Sequence, residues 1–143
     1  MVSNYIRYYL DVHSAETGEL PKVETAAKVA QNIFYQNGEQ LHGSMIVSGW
    51  DPIDGPSIYD VNHGNCFKKT CAANGSGSVF IKAFLDKHFR EGMSRAEAIE
   101  FMKEAVTLAT YRDASSGGAI RMMDITEEKL ERHYLSHHEK EIQ

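Results

Sequence analysis

The sequence predicts an α+β protein built in layers, with helices on both sides of antiparallel strands. Helical periodicity occurs in two pairs, over residues 2–37 and residues 78–112. Short apolar, β-branched runs lie between and after these pairs, separated by turns rich in glycine, asparagine and aspartate. Paired helices on either side of such strands favour the layer order helices, sheet, sheet, helices.

The first helix pair is indicated by apolar residues at three- and four-residue steps. The first pattern covers residues 2–13, and Gly18 is its expected stop. The second covers residues 23–34, with Pro21 suited to its first turn and Asn37-Gly38 at its end. No capping residue precedes the first pattern, so we expect the given sequence to start inside this helix rather than before it.

Three short runs predict an antiparallel meander. Residues 44–48 are apolar and β-branched, residues 57–61 alternate as a half-buried strand does, and residues 66–73 form one strand or two short ones. Breaker-rich turns at 50–56 and 62–65 separate them, and Asp54-Gly55 is a hairpin signal in the first turn.

The second helix pair leads into the last strands. Val79, Phe80, Ala83 and Phe84 predict the buried stripe of its first helix, which should end near Arg90 and Gly92. Ser94 and Glu97 form a capping box for the next helix. Its predicted buried face consists of Ala98, Ile99, Met102, Ala105, Val106 and Ala109. Strands are expected at 119–125 and 129–134, before a polar tail at 136–143.

Composition limits the class of protein. A chain of 143 residues, 42 % hydrophobic and 24 % charged, is expected to form one globular domain over residues 1–135. A net charge of -5 without a basic block argues against nucleic acid or an anionic membrane as the main partner. No apolar run has the length of a membrane span, and the N-terminus lacks a signal-peptide pattern. Cys66 and Cys71, expected on opposite faces of a strand, are interpreted as reduced thiols of a cytosolic or nuclear protein.

The corner at Arg112–Gly118 is the first candidate site. A carboxylate, two hydroxyls and two glycines lie where a helical pattern meets an apolar run. In one interpretation this is a helix C-cap, in which glycine adopts the left-handed conformation and the serines bond loose carbonyls. In the other, Asp113 and Ser116 orient or activate a reacting group that is brought from elsewhere in the fold.

The second candidate is the loop Gly75-Ser76-Gly77-Ser78, which enters a helix and could hold an anion on its backbone N–H groups. The Gly-Lys-Ser/Thr ending of a P-loop is missing, and so is the third glycine of a dinucleotide fingerprint. A flexible turn with a serine N-cap is the simpler interpretation. If this loop and the Asp113 corner open on one side of a sheet edge, they frame a polar pocket.

The sequence gives less support for a metal site or for a serine or cysteine nucleophile. His133, His137 and His138 are spaced like metal ligands on a helix, but the region is predicted as a strand and a tail. No Gly-x-Ser-x-Gly elbow appears, and neither cysteine has the position of a peptidase nucleophile. We therefore expect no metal and no cofactor.

Four motifs follow one another along the chain: Ser48-Gly49-Trp50-Asp51-Pro52, Gly75-Ser76-Gly77-Ser78, Phe89-Arg90-Glu91-Gly92-Met93-Ser94 and Arg112-Asp113-Ala114-Ser115-Ser116-Gly117-Gly118. The series resembles β-type subunits of the proteasome core particle, over Tyr5–Tyr134. Ser115-Ser116-Gly117-Gly118 followed by Ile120-Arg121, together with Asp86–Met93, is most similar to the caspase-like catalytic type.

The resemblance implies the N-terminal-nucleophile fold, a four-layer αββα sandwich, and a threonine-type endopeptidase of the 20S core that degrades proteins in the ATP- and ubiquitin-dependent pathway. Cleavage after acidic residues would follow from the caspase-like type. Asp113 and Ser116 would orient the nucleophilic threonine and its amine, and Ser76 would help to position a proton-relay water. Implied partners are α and β subunits in stacked seven-membered rings, with unfolded polypeptides as substrates, in cytoplasm and nucleus.

The sequence departs from the family at its N-terminus. Mature members begin with the catalytic threonine on a first strand, and an acidic residue, a lysine and the oxyanion-hole glycine follow before the first helix. Met1 falls inside the expected first helix, so we expect the first strands to be absent and the chain as given to be inactive alone. The alternatives are a non-catalytic β-ring subunit or inert fragment, and, outside the family, a small anion-binding module that uses Gly75–Ser78.

Overall fold

The structure is a computed structural model that describes residues 2–135. The described part of the chain contains four helices and five strands in the predicted order: α1 Val2–Thr17, α2 Val23–Gln36, β1 Ser44–Asp51, β2 Gly55–Asn62, β3 Asn65–Lys69, α3 Ser78–His88, α4 Arg95–Arg112, β4 Ile120–Ile125 and β5 Leu130–Leu135. The α+β class is therefore confirmed. The predicted tail at 136–143 lies outside the described residues.

The described residues form two compact units. One consists of residues 2–72 with Ile125–Lys129, and the other of Ala73–Asp124 with residues 130–135. The single domain expected over residues 1–135 remains a prediction. Among residues 2–135, no helix combines the length and the apolar character needed to cross a bilayer.

The first unit packs α1 and α2 with an antiparallel sheet of order β1-β2-β3. Ala27 and Ala30 of α2 and Val61 of β2 are fully buried, so the alanine-rich helix lies close against the sheet. This agrees with the meander predicted from the turns. The buried core cluster consists of Ile6, Val23, Ala27, Ala30, Phe34, Tyr59 and Val61.

Strand boundaries in this unit differ from the sequence prediction. Strand β1 continues through Trp50 to Asp51, which pairs with Gly55, so the turn is shorter than predicted. The carboxylate of Asp51 stabilises this tighter turn because it accepts the N–H groups of Ile53 and Asp54 at 3.0 and 2.8 Å.

Two further predictions in this unit are wrong: the placement of the cysteines and the position of Pro21. Strand β3 ends at Lys69, so Cys71 lies outside it and the two cysteines are not on opposite faces of one strand. Pro21 precedes α2, whose N-cap is Lys22, rather than lying in its first turn.

Asp51 also fixes the start of α2. Its Oδ2 atom accepts the Val23 N–H at 3.0 Å, although the two residues are 28 positions apart. The N-cap residue Lys22 makes no capping side-chain hydrogen bond, so a distant carboxylate takes that role. Only 4 % of Asp51 is exposed, and N–H groups, foremost that of Asp54, hold the pKa of its carboxyl below its ordinary value.

The second unit packs α3 against α4, and β4 and β5 form a two-stranded sheet. The stacked rings of Phe84 and Phe101, with centroids 5.6 Å apart, join the two helices. The predicted stripe of α3 is wrong in part: Val79 is 69 % and Phe80 49 % exposed, whereas Ile81 is buried. Ile81 and Phe84 are three residues apart, so they fit the helical period as well as the predicted residues do. The helix therefore buries a face that is rotated from the predicted one.

The capping box of α4 is confirmed. Ser94 Oγ accepts the Glu97 N–H at 3.3 Å, and Glu97 Oε2 accepts the Ser94 N–H at 2.9 Å. The predicted buried face of α4 is only partly correct. Ala105 is buried as predicted, but the buried aromatic residue of the helix is Phe101, and Met102 is 42 % exposed.

Replacing Ser94 with alanine should lower the free energy of unfolding by about 1 kcal/mol, because the N-cap acceptor of α4 is lost. Chemical denaturation of the wild type and the variant measures this difference. The control is Ser3→Ala, which removes an exposed hydroxyl within α1. Equal effects of the two substitutions would contradict a role for the Ser94 cap.

Candidate functional site

The site lies in the second unit, where the end of α4 meets the loop before α3. Helix α4 ends at Arg112, and Asp113 is its C-cap with an extended backbone, φ -98° and ψ 111°. The Asp113 N–H still bonds the Ala109 carbonyl at 2.9 Å, and the Ser116 N–H bonds the Asp113 carbonyl at 3.0 Å. The chain therefore leaves the helix in a tight turn that holds three polar side chains together.

Asp113 accepts four hydrogen bonds. Its Oδ2 atom accepts the Ser116 hydroxyl at 2.6 Å and the Ser76 hydroxyl at 2.7 Å. Its Oδ1 atom accepts the Ser115 hydroxyl at 2.8 Å and the Ser115 N–H at 3.0 Å. The Ser76 and Ser115 hydroxyl oxygens are themselves 3.1 Å apart. We refer to Ser76, Asp113, Ser115 and Ser116 as the Asp113 cluster.

These hydrogen bonds determine the charge of the cluster. The hydroxyl of Ser116, followed by those of Ser76 and Ser115, holds the pKa of the Asp113 carboxyl far below its ordinary value. Only 8 % of Asp113 is exposed, while Ser76 and Ser115 are exposed and Ser116 is half-buried. At neutral pH the cluster is thus a fixed negative charge surrounded by rotatable hydroxyls, which suits orienting a reacting group more than donating a proton.

The structure brings together all three residues singled out in the sequence. Asp113 and Ser116 come from one motif, and Ser76 joins them from 37 residues earlier in the chain. In the C-cap interpretation the serines would bond helix carbonyls, but the hydroxyls of Ser115 and Ser116 donate to the carboxylate instead. The sequence alone did not indicate Ser115 as a residue of the candidate site. Its position two residues after Asp113, where an aspartate commonly accepts from the backbone, was the available signal.

Gly77 allows the loop to approach α4. A Cβ atom on Gly77 would lie 3.2 Å from Ala109 Cβ, 3.4 Å from Ser116 Oγ and 3.6 Å from Asp113 Oδ2. The absence of a side chain at this position therefore permits the short distance between Ser76 and Asp113.

The loop geometry does not favour an anion. Ser76 donates its hydroxyl to Asp113, so a carboxylate lies at the loop that was considered for phosphate binding. A second negative charge at this position would be repelled by the first.

One group of possible metal ligands occurs among residues 2–135. Ligand atoms of Asp124, Glu131 and His133 lie within 4.8 Å of one another, and His133 Nε2 is buried without a hydrogen-bond partner. The guanidinium of Arg95 donates to both carboxylates and already supplies a positive charge beside them, so we assign no metal here. His133 lies in β5 as predicted, whereas His137 and His138 are outside the described residues.

The fold and the cluster together define an α+β protein with a polar site in which one carboxylate accepts three serine hydroxyls. Comparison with known proteins gives the family. A family model for proteasome subunits matches residues 1–125, and the chain belongs to that family.

Individual relatives agree with this assignment. The chain is 41 % identical over 136 residues to "Probable proteasome subunit beta type-1" of Schizosaccharomyces pombe, covering 94 % of this chain and 60 % of that protein. It is 40 % identical over 132 residues to "Proteasome subunit beta type-6" of Dictyostelium discoideum, covering 92 % and 62 %. Identity to "Proteasome subunit beta type-1" of Saccharomyces cerevisiae is 36 % over 132 residues, covering 92 % and 61 %. The chain thus spans about three fifths of the length of these relatives.

Proposed function

We propose that this chain is part of a β-type subunit of the 20S proteasome core, and that the whole protein is a threonine-type endopeptidase of the caspase-like type. The observation that carries the proposal is the Asp113 cluster, in which two motifs typical of the family meet on one carboxylate. Its fixed charge and its hydroxyls suit a reaction in which an N-terminal amine serves as base for its own hydroxyl.

The proposed mechanism gives each residue a specific role. The nucleophile of this mechanism is an N-terminal threonine, since the cluster itself holds only a carboxylate and serines. Asp113 and Ser116 orient that threonine and stabilise its amine in the charged form after the amine takes the hydroxyl proton. Ser76 lies beside the amine and orients a water that passes the proton on. The 143-residue chain by itself is then expected to be inactive.

The remaining parts of the proposal concern the assembly. The domain over residues 1–135 completes an αββα sandwich of the N-terminal-nucleophile type in the whole protein. It assembles with other α and β subunits in stacked seven-membered rings and acts on unfolded polypeptides in the cytoplasm and nucleus. The second candidate is a non-catalytic member of the β ring, which would share the fold and partners but lack turnover.

Isolating the protein from its own cells tests the proposal. The intact mass and N-terminal sequence of the subunit are determined, and the purified particle is assayed with peptides that have acidic, basic or apolar residues before the scissile bond. A mature subunit that begins with threonine, in a particle that cleaves after acidic residues, supports the peptidase. A subunit without an N-terminal threonine in an assembled particle would establish the non-catalytic alternative instead.

Replacing Gly77 with alanine in the whole protein should lower kcat by roughly tenfold, because the new methyl group pushes the Ser76 loop away from α4 by a few tenths of an ångström. The control is Gly117→Ala, since nothing lies within 4 Å of a Cβ at that glycine. Peptide cleavage by particles that carry either variant measures the effect. A Gly77 variant as active as the Gly117 variant would show that the close approach is not needed.

A further inference from the structure

The Asp113 cluster has more oxygen–oxygen contacts than hydroxyl protons. Three contacts join Asp113 to the hydroxyls of Ser76, Ser115 and Ser116, and a fourth joins Ser76 to Ser115 at 3.1 Å. Each serine hydroxyl carries one proton, so three protons serve four contacts. When all three hydroxyls donate to Asp113, the Ser76–Ser115 contact holds no proton.

Ser115 has a second way to stabilise the cluster. Its hydroxyl can turn from Asp113 to donate to Ser76 Oγ, because the two oxygens are already within hydrogen-bond distance. Asp113 Oδ1 keeps the Ser115 N–H at 3.0 Å after this rotation, so it is not left without a donor. Ser76 can then direct its own proton away from Asp113 while its oxygen remains held. The change rotates two O–H bonds and breaks no covalent bond.

Ser115 is the residue of the cluster that allows this exchange. Its hydroxyl contacts both Ser76 and Asp113, whereas the Ser116 hydroxyl donates to Asp113 Oδ2. Ser115 and Ser76 are both exposed, so a group that enters the site can reach the Ser76 hydroxyl.

We propose that Ser115 is a positioning residue that holds the Ser76 oxygen in place while Ser76 turns its proton towards the reacting group or its water. This inference rests on the proposed peptidase function and adds a residue to its proton relay. Without the Ser115 hydroxyl, Ser76 must either keep its proton on Asp113 or lose its anchor when it turns outward.

The test compares Ser115→Ala and Ser115→Thr in the whole subunit within assembled particles, with Ser44→Ala at an exposed strand position as the control. The alanine variant should lower kcat by about tenfold with KM unchanged, since one hydrogen bond to a charged network is lost. The threonine variant should remain within about twofold of the wild type, because it keeps the hydroxyl and Ser115 is exposed. Wild-type kcat in the alanine variant, or equal loss in both variants, would overturn the proposal.

A pH profile distinguishes positioning from a merely structural effect. The Ser115 hydroxyl contributes to lowering the pKa of Asp113, so its removal raises that pKa. Asp113 keeps its donors from Ser116, Ser76 and the Ser115 N–H and stays ionised above about pH 5, so the acid limb of kcat/KM should lie at the same pH in Ser115→Ala as in the wild type. A shifted acid limb would show that the substitution disturbs the charge of the site and not the position of Ser76, and it would overturn the inference.

Asp113→Asn particles separate this inference from the proposed function. Inactive Asp113→Asn particles together with fully active Ser115→Ala particles would reject the role of Ser115 alone. Wild-type turnover by Asp113→Asn particles would reject both the peptidase site and the role of Ser115.

Discussion

Replacing Asp113 with asparagine in the whole protein is expected to lower kcat by about a thousandfold while leaving particle assembly intact. Asparagine keeps the shape of the side chain but removes the charge. One of its two terminal atoms becomes an NH₂ donor, although both oxygens of Asp113 accept hydrogen bonds. At least one serine hydroxyl must therefore turn away, and no negative charge remains to stabilise a protonated amine.

The measurement is turnover of a peptide with an acidic residue before the scissile bond, by particles purified through this subunit. Asp86→Asn is a matched control because Asp86 is an exposed aspartate in α3 of the same unit. Cleavage of other peptide classes by neighbouring subunits should persist and serves as an internal standard. Loss of assembly in Asp113→Asn but not in Asp86→Asn would assign Asp113 to the fold rather than to the reaction.

The pH dependence of the same site has a definite sign. Donors to Asp113 lower its pKa, so the carboxylate stays ionised when the pH falls from about 7 to about 5. Any loss of turnover in that interval must come from another group, such as an amine that serves as base.

Replacing Asp51 with alanine should cause a large loss of thermal stability, with a melting temperature lower by roughly 5 to 10 °C. Three backbone N–H groups, those of Val23, Ile53 and Asp54, lose the carboxylate that accepts them. Because the site is buried, water cannot readily replace that acceptor. The start of α2 and the turn after β1 are loosened together.

Thermal unfolding followed by circular dichroism measures this effect, with Asp54→Ala as the control. Asp54 is exposed, and its ion pair with Lys22 at 3.5 Å is the kind that contributes little. The Asp51 carboxylate has a lowered pKa, so its contribution is complete above the pKa of the unfolded chain and is lost as the pH falls through the folded pKa. The wild type should therefore lose more stability on acidification than Asp51→Ala. Equal losses would contradict the role of the charge.

Local sequence determined the elements of this protein and their order. The periodicity of α1, α2 and α4, the Ser94 capping box and the glycine-rich turns are properties of neighbouring residues, so they could be read without the fold. The Asp113–Ser116 corner could be predicted as a candidate site for the same reason, because its polar residues are neighbours in the sequence. Which apolar residues of α3 are buried was not determined locally, because several rows of the helix fit the same period.

Only the tertiary structure decided which distant residues meet. Ser76 and Asp113 are 37 residues apart, and Asp51 and Val23 are 28 residues apart, yet each pair is joined by a direct hydrogen bond. No local pattern specifies such a contact, because its formation depends on how whole helices and strands pack. The exchange at Ser115 follows the same principle: the residue belongs to a local motif, but its second partner, Ser76, is supplied by the fold.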